Sequence, residues 1–560
     1  MTGKTSQSRL SATGYALLWT GLWLALMAVT LKFRPFLPVD ETRYLAVAWE
    51  MWRDKNFLVP HLGGAPYSHK PPLLFWLMHA GWAAFGVNEW WPRLVAPLFG
   101  LASLFLTAAH ARRLWPSRRV VAVAAPLILF ACLFWTLFTT LTMFDMLLAF
   151  CALLAMLGII HAWQSDSSGG FIWLALAIGL GVLAKGPAIL LSTLPVALLA
   201  PLWAPTQTPG EATTTMWSRG WKKWYSGVGF AVLGGVAIGL AWAIPATIAG
   251  GEEYRNAIFW GQSAGRMVDS FAHGRPWWWF LAVLPGLVLP WTLWPACWRS
   301  LRGLLDTRKD NGIRFCLIWF IPALITFSAI SGKQLHYLLP VFPALALILG
   351  RLLADHYDGA PDRSSWWRTG LHIPVALFII LGLALAAAPF IANLLDLPTA
   401  LRETDFIWGL ILALLAFTAL ILTRSWTSLM ARLATLSILS MALVVGIHLS
   451  LRPALAERFD LKPLSEKLGQ WQRAGTPLAF LGKYHGQFNF LGRLETPITV
   501  VGLQDMDLEN WLAENPQGRL IYISDEIPVT TTPIYGQTYR GRSLVVLDTP
   551  QVLADPTILK

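Results

Sequence analysis

Long apolar runs recur from near Tyr15 to about Ser450, separated by short polar gaps. A hydrocarbon core ~30 Å thick takes about 20 residues of helix to cross, so runs of this length predict membrane-spanning helices. About thirteen are expected, starting near Tyr15, Arg93, Val120, Leu141, Phe171, Ala188, Gly227, Trp277, Phe315, His336, Ile373, Phe406 and Leu433. After about Leu451 the texture changes. Helix-period stretches there alternate with short β-rich runs, "PLAFLG" from Pro477, "PITVVG" from Pro497 and "RLIYIS" from Arg519, set off by Gly, Pro and Asn-Pro turns. The pattern predicts a polytopic all-α membrane protein with a small C-terminal α/β domain. Residues 1–452 form the membrane domain, residues 33–92 an outer loop within it, and residues 453–560 the α/β domain.

Composition supports lipid as the solvent. The chain has 560 residues, of which 55% are hydrophobic and 13% charged, with a mean hydropathy of +0.53. That leaves too little polar surface for a soluble globular protein. Lysine and arginine then set the orientation, because every second gap is basic: the N-terminus with Lys4 and Arg9, then Ala111–Arg119, Ser218–Trp224, Arg299–Arg314 and Thr423–Arg432. Those gaps face the cytoplasm. The first span has a long polar lead and no small-residue cleavage site, so it reads as a retained anchor. An odd number of spans then places the C-terminal domain on the outer side of the membrane. Topology explains much of the net charge of +12, and no nucleic-acid partner is implied. Cys132, Cys151, Cys297 and Cys316 lie in or beside apolar spans without a CxxC, so neither a disulfide framework nor a cysteine metal site is expected. Many of the 31 tryptophans suit the membrane interfaces.

Charge in the wrong place locates the candidate chemistry. The outer segments Phe33–Pro92, Ala184–Pro187, Gly250–Pro276 and Ser331–Tyr337 carry Lys70, Lys185 and Lys333 against the positive-inside trend, with Arg43 and Arg266 beside them. Such a ring of cations suits a phosphate at headgroup depth. Asp40 and Glu41 stand at its lip. Asp145 falls about one turn inside an apolar span, where an unpaired carboxylate costs ~3 kcal/mol. Each residue also has a plainer reading: Asp40 as the cap of a helix starting at Glu41, the lysines as snorkelling side chains, Glu89 and Arg93 as an i,i+4 ion pair. Together, three carboxylates and several cations on one side provide the groups for a reaction with a phosphate leaving group.

The motifs "VDETRYLAVAWEM", "LVPHLGGAPYSHKPPLLFWL", "FGVNEWWPR", "AKGP", "SGKQLHYLLPVFP" and "YHGQFNFLGRL" resemble those of the bacterial dolichyl-phosphate-mannose protein mannosyltransferase-like family. Within it the chain is most similar to the 4-amino-4-deoxy-L-arabinose transferases that modify lipid A. The resemblance implies a GT-C glycosyltransferase that takes a sugar from a polyprenyl-phosphate donor and passes it to a lipid or protein acceptor. It implies that Asp40 is catalytic and that Asp145 is a second acidic position. Arg43, Lys70, Lys185 and Arg266 match or neighbour the donor-phosphate cradle, while Tyr44, Tyr67 and Tyr337 match tyrosines of the cavity. Two departures are visible: His69 stands where the aminoarabinose transferases have Glu before Lys-Pro, and "GQSAGR" lacks their histidine before the loop arginine. No metal is expected on these grounds, although a divalent ion held by His69 and His273 is the arrangement to look for.

A polyprenyl-linked sugar flippase is the alternative reading, since it too would carry charge in a membrane cavity. It would be expected to show internal repeats and polar groups near the midplane. A non-catalytic scaffold would leave the lysine ring without a purpose.

Overall fold

The computed structural model describes residues 11–165, 167–204, 220–260, 274–304, 310–358, 370–425, 428–502, 506–525 and 532–559. Eight helices among them are long and apolar enough to cross a membrane: Ala12–Phe33, Trp90–Leu114, Phe144–Ser165, Gly220–Trp260, Asn311–Ala329, Leu335–Asp358, His372–Leu394 and Leu429–Ser450. Five shorter apolar helices accompany them, Leu73–Phe85, Val121–Ala131, Gly169–Lys185, Ala188–Leu198 and Phe406–Leu422.

Two expected spans are broken. The run from Trp277 divides into Trp279–Leu287, a 3-10 turn at Trp291–Leu293 and Pro295–Leu301. Pro285, Pro290 and Pro295 recur every fifth residue here, and each lacks the backbone donor that a continuous helix would need at its position. The run from Val120 stops at Ala131 and resumes at Leu133 after the extended Cys132. The two breaks face each other: Leu133 N–H donates to the Leu289 carbonyl at 2.9 Å, and the Cys132 thiol donates to that of Leu287 at 3.0 Å. Backbone freed by one interruption is thus satisfied by the other, as lipid requires.

Small residues set the closest helix crossings. Between Phe144–Ser165 and Gly169–Lys185, a Cβ on Gly158 would fall 2.8 Å from the Gly170 carbonyl oxygen. Gly382 and Gly409 play the same part between His372–Leu394 and Phe406–Leu422.

Outside this bundle, the helix Asp40–Arg53 is followed by a small hairpin of β1 (His61–Leu62) and β2 (Ala65–Pro66). The C-terminal sheet contains β3 (Leu478–Leu481), β4 (Thr499–Val501), β5 (Arg519–Ser524), β6 (Tyr535–Tyr539) and β7 (Arg542–Asp548), in the order β4-β3-β5-β7-β6. Strand β3 is parallel to both its neighbours, and the pairs β5–β7 and β6–β7 are antiparallel. Strand alternation divides the side chains between two faces. Ala479, Leu520, Tyr522 and Val545 pack against Leu508, Trp511 and Val552, while Phe480, Ile521, Leu544 and Val546 join the main core. The sheet region therefore docks on the outer helix through real contacts. Trp49 Nε1 donates to the Leu494 carbonyl at 2.8 Å, and Asn489 Nδ2 to Glu50 Oε1 at 2.7 Å.

Candidate active site

The outer helix brings in the first carboxylate. Asp40 is its first helical residue, and Val39 at the cap position makes no side-chain cap bond. The capping role expected for Asp40 is not taken up. Its carboxylate instead accepts from the Arg43 guanidinium and, at 3.3 Å, from the Tyr44 hydroxyl, and it stays half exposed. Both donors lie one turn on, on the same helix face. Burial, with Asp40 and Tyr67 nearby, pushes the Tyr44 phenol well above its ordinary pKa of 10.0, so Tyr44 acts as a hydrogen-bond donor.

Glu41 differs from expectation. It is buried and turned away from Asp40, accepting from Arg34 Nη2 at 2.9 Å, Leu37 N–H at 2.8 Å and Thr142 N–H at 2.7 Å. Burial works to raise its pKa, but the Arg34 guanidinium and the two backbone donors overcome this and hold it below the usual carboxylate value. Glu41 is thus a structural tie between the end of the first span, the outer helix and the approach to Phe144, with no free oxygen for a substrate. The expected Glu89–Arg93 pair does not form either. Helix Trp90–Leu114 starts one residue after Glu89, whose carboxylate meets Lys462 at 2.8 Å. Arg93 donates to the carbonyls of Thr30, Leu31 and Arg34, which end the first span.

The second carboxylate lies at a helix start. Helix Phe144–Ser165 begins later than its apolar run suggested, so Asp145 sits in the first turn, where the helix dipole favours an anion. Lys185 ends helix Gly169–Lys185, where the dipole favours a cation. The two pair directly, with side chains 3% and 14% exposed. Lys185 Nζ also stands 4.8 Å from the Tyr337 ring centroid. Phe144 joins the two halves of the site: the Tyr44 ring packs edge-on against it at 4.9 Å, and Lys70 Nζ lies 5.7 Å from its centroid. Tyr67 is buried, with its ring 5.2 Å from that of His69. Asp40, Arg43, Tyr44, Tyr67, Lys70, Asp145, Lys185 and Tyr337 accordingly share one neighbourhood.

The dolichyl-phosphate-mannose-protein mannosyltransferase family model matches residues 69–241, a stretch that includes Lys70, Asp145 and Lys185. The undecaprenyl phosphate-alpha-4-amino-4-deoxy-L-arabinose arabinosyl transferase 2 of Pseudomonas fluorescens Pf0-1 is 30% identical over 353 residues, covering 61% of this chain and 60% of that protein. The corresponding transferase of Pseudomonas aeruginosa PAO1 is 28% identical over 554 residues, 92% of this chain and 94% of that protein. Among solved structures, ArnT from Cupriavidus metallidurans bound to undecaprenyl phosphate superposes with a TM-score of 0.71 at 21% identity, covering 96% of this chain and 98% of that one.

The chain has a GT-C fold, and over residues 69–241 it is similar to the dolichyl-phosphate-mannose-protein mannosyltransferase family.

In this GT-C chain not every expected cation joins the cluster. Lys333 is buried, and its ammonium donates to the carbonyls of Arg275, at 2.9 Å, and Ile330. It fastens the Gly274–Gly332 bridge rather than facing a ligand. Arg266 and His273 lie outside the described residues. Among the described residues no group of three or more His, Cys, Asp or Glu could hold a metal ion.

Two histidines escaped the sequence reading. His336 Nε2 lies 3.9 Å from Asp145 Oδ1; the only signal was a polar ring beside Tyr337 at the edge of a span. His485 comes from the C-terminal domain. Its neighbour Gly486, at φ +73°, lies so close to the outer helix and hairpin that a Cβ would meet Leu62 Cδ1 at 2.5 Å and Ala46 Cβ at 2.9 Å. This seat holds His485 near Arg43. Burial, then the charges of Arg43, Lys483 and Arg540, lower its pKa below 6.5.

Proposed function

We propose that this chain is an integral-membrane glycosyltransferase that moves a sugar from a polyprenyl-phosphate carrier to an envelope acceptor on the periplasmic side of a bacterial inner membrane. The observation that carries this reading is the convergence of Asp40 and Asp145 with Arg43, Lys70 and Lys185 around Phe144.

The cations bind the carrier phosphate and spread the charge it gains on leaving, an effect that is large where water is excluded. Asp145 anchors the Lys185 ammonium at the membrane end of the cradle. The bond from the anomeric carbon to the phosphate oxygen breaks as the acceptor oxygen attacks from the opposite face. Asp40, the exposed carboxylate of the pair, is the group at which a hydroxyl acceptor delivers its proton. A phosphate acceptor is already ionised and needs no such step, and Asp40 then orients Arg43 and Tyr44.

The names of the related transferases favour an aminopentose as the sugar; acceptors of the kind expected are lipid A, another glycolipid or a protein. In this reading residues 1–452 carry the transfer and residues 453–560 form the periplasmic domain, with the N-terminus in the cytoplasm.

The test uses purified protein in liposomes with polyprenyl-phosphate sugars and an envelope lipid extract, reading free polyprenyl phosphate and sugar-bearing product by mass spectrometry. Release coupled to a new glycosylated product supports the proposal. Movement of intact donor between leaflets without release favours the flippase alternative.

A further inference from the structure

Beyond the carboxylate and cation cluster, an open cleft with a volume of about 510 Å3 lies at the junction between the outer helix and the C-terminal domain. That lies within the ~300–1,000 Å3 typical of small-ligand sites. Its polar lining is dominated by Arg53, Arg473 and Arg493, and the half-buried indole of Trp49 forms one wall. Arg53 is neutralised by a two-pronged bond to Asp54 at 2.6 and 2.7 Å. Arg473 and Arg493 form no ion pair among the described residues, and Glu495 is the one other carboxylate in the lining.

Arg493 is held in an unusual way for a cation. Its guanidinium lies 4.0 Å from the Phe490 centroid and 5.5 Å from that of Trp49, at a residue with φ +51°. The left-handed backbone and the aromatic stack fix a partly desolvated charge at the cleft wall. Its Nη1 donates to the Phe490 carbonyl, and the other guanidinium donors remain to meet an anionic oxygen. The indole beside it, whose N–H is held by the Leu494 carbonyl, supplies an apolar surface suited to the face of a sugar ring.

The cleft is also positioned relative to the chemistry. Trp49 and Arg53 lie on the same helix as Asp40, so at ~1.5 Å rise per residue they stand about 13–20 Å along its axis from that carboxylate. A ligand reaching from one to the other is longer than a single sugar.

We infer that this cleft is an acceptor subsite that holds the phosphate of a phosphorylated saccharide headgroup between Arg473 and Arg493, while another part of the same headgroup reaches Asp40. The inference rests on the transferase reading and assigns the far end of its acceptor.

The test is direct binding by isothermal titration to the full chain in detergent, with the donor cradle kept saturated by polyprenyl phosphate. Glucosamine 1-phosphate, glucosamine and inorganic phosphate are the probes, and the proteins are wild type, Arg473→Ala, and Arg473→Ala/Arg493→Gln. The sugar phosphate is expected to bind wild type at least 10-fold more tightly than either other probe, with a loss of at least 10-fold in the double variant. Arg473 is exposed, so the single variant provides a folded protein in which a smaller loss must still appear. Equal binding to wild type and both variants overturns the subsite. Inorganic phosphate binding as tightly as the sugar phosphate overturns the saccharide assignment, as does equal binding of glucosamine. Because donor release is a separate assay, failure of this titration is distinguishable from failure of the transferase.

Discussion

Lys185 and Asp145 pair where one membrane helix ends and another begins, each at the helix terminus whose dipole suits its charge. Removing one member of such a pair leaves the other uncompensated, at a cost of roughly 3–5 kcal/mol. Lys185→Met and Asp145→Asn are each expected to lower the unfolding temperature by several degrees in detergent and to abolish donor release. The double variant Asp145→Asn/Lys185→Gln is expected to regain stability without regaining release. Recovery of release in the double variant would show that the pair serves only the fold.

Asp40 is more exposed than Asp145 and does not hold the bundle together. Asp40→Asn is expected to leave the unfolding temperature within about a degree of wild type, since exposed ion pairs contribute only ~0–1 kcal/mol. Transfer to a hydroxyl acceptor should fall by about 10²–10⁴-fold, the range for loss of a general base. Retained binding of polyprenyl phosphate, measured by titration, separates this outcome from loss of the donor site.

Glu41 is expected to show the opposite profile. Its carboxylate satisfies Arg34 and two backbone N–H groups in a buried junction, so Glu41→Ala should destabilise the protein by roughly 3–5 kcal/mol. Whatever fraction remains folded should transfer at near the wild-type rate per folded molecule. Thermal unfolding and activity normalised to folded protein check this together.

Glu50 ties the C-terminal domain to the outer helix. It accepts from Gly63 N–H at 2.8 Å, Gly64 N–H at 3.0 Å and Asn489 Nδ2 at 2.7 Å. Hydrogen bonds to a charged group contribute about 1.5–3 kcal/mol each. Asn489→Ala is therefore expected to loosen the docking of the domain and speed its cleavage in limited proteolysis.

The same junction should respond to pH. His485 has its pKa lowered in the folded protein, by burial and by the surrounding cations. The neutral ring is thus favoured by folding, and the stability this represents is present above 6.5, the ordinary value, and lost as pH falls towards the folded value. Proteolysis of the C-terminal domain is expected to accelerate as pH drops below about 6.5, and His485→Gln should flatten that dependence.

The membrane architecture was legible because span length and hydropathy report directly on the thickness of lipid. Pairwise geometry was much less so. Asp40, Lys70, Asp145 and Lys185 could be placed on one side from charge alone, yet apart from the family motif nothing in the local sequence distinguished Asp40 from Glu41. The difference arises from Arg34 and Thr142, one before the helix and the other about a hundred residues beyond it. Helical spacing suggested that Glu89 and Arg93 pair, but the helix begins after Glu89 and tertiary partners claim both charges. Lys333 shared the sequence features of Lys185, and only the packing of the 274–275 backbone against it reveals a structural role. The contribution of His485 required knowing that Gly486 seats the C-terminal domain on Ala46, a contact separated by more than four hundred residues.

Lys70 provides the most direct test of the central claim, because its ammonium lies over the Phe144 ring against which Tyr44 also packs. Lys70→Ala and wild type would be compared in liposomes containing a polyprenyl-phosphate sugar and envelope lipid, with free polyprenyl phosphate quantified over time. Release and glycosylated product from wild type, with both reduced at least 100-fold in Lys70→Ala at unchanged stability, is the expected result. Equal release from the two proteins, or none from wild type with donor crossing the bilayer intact, would contradict it.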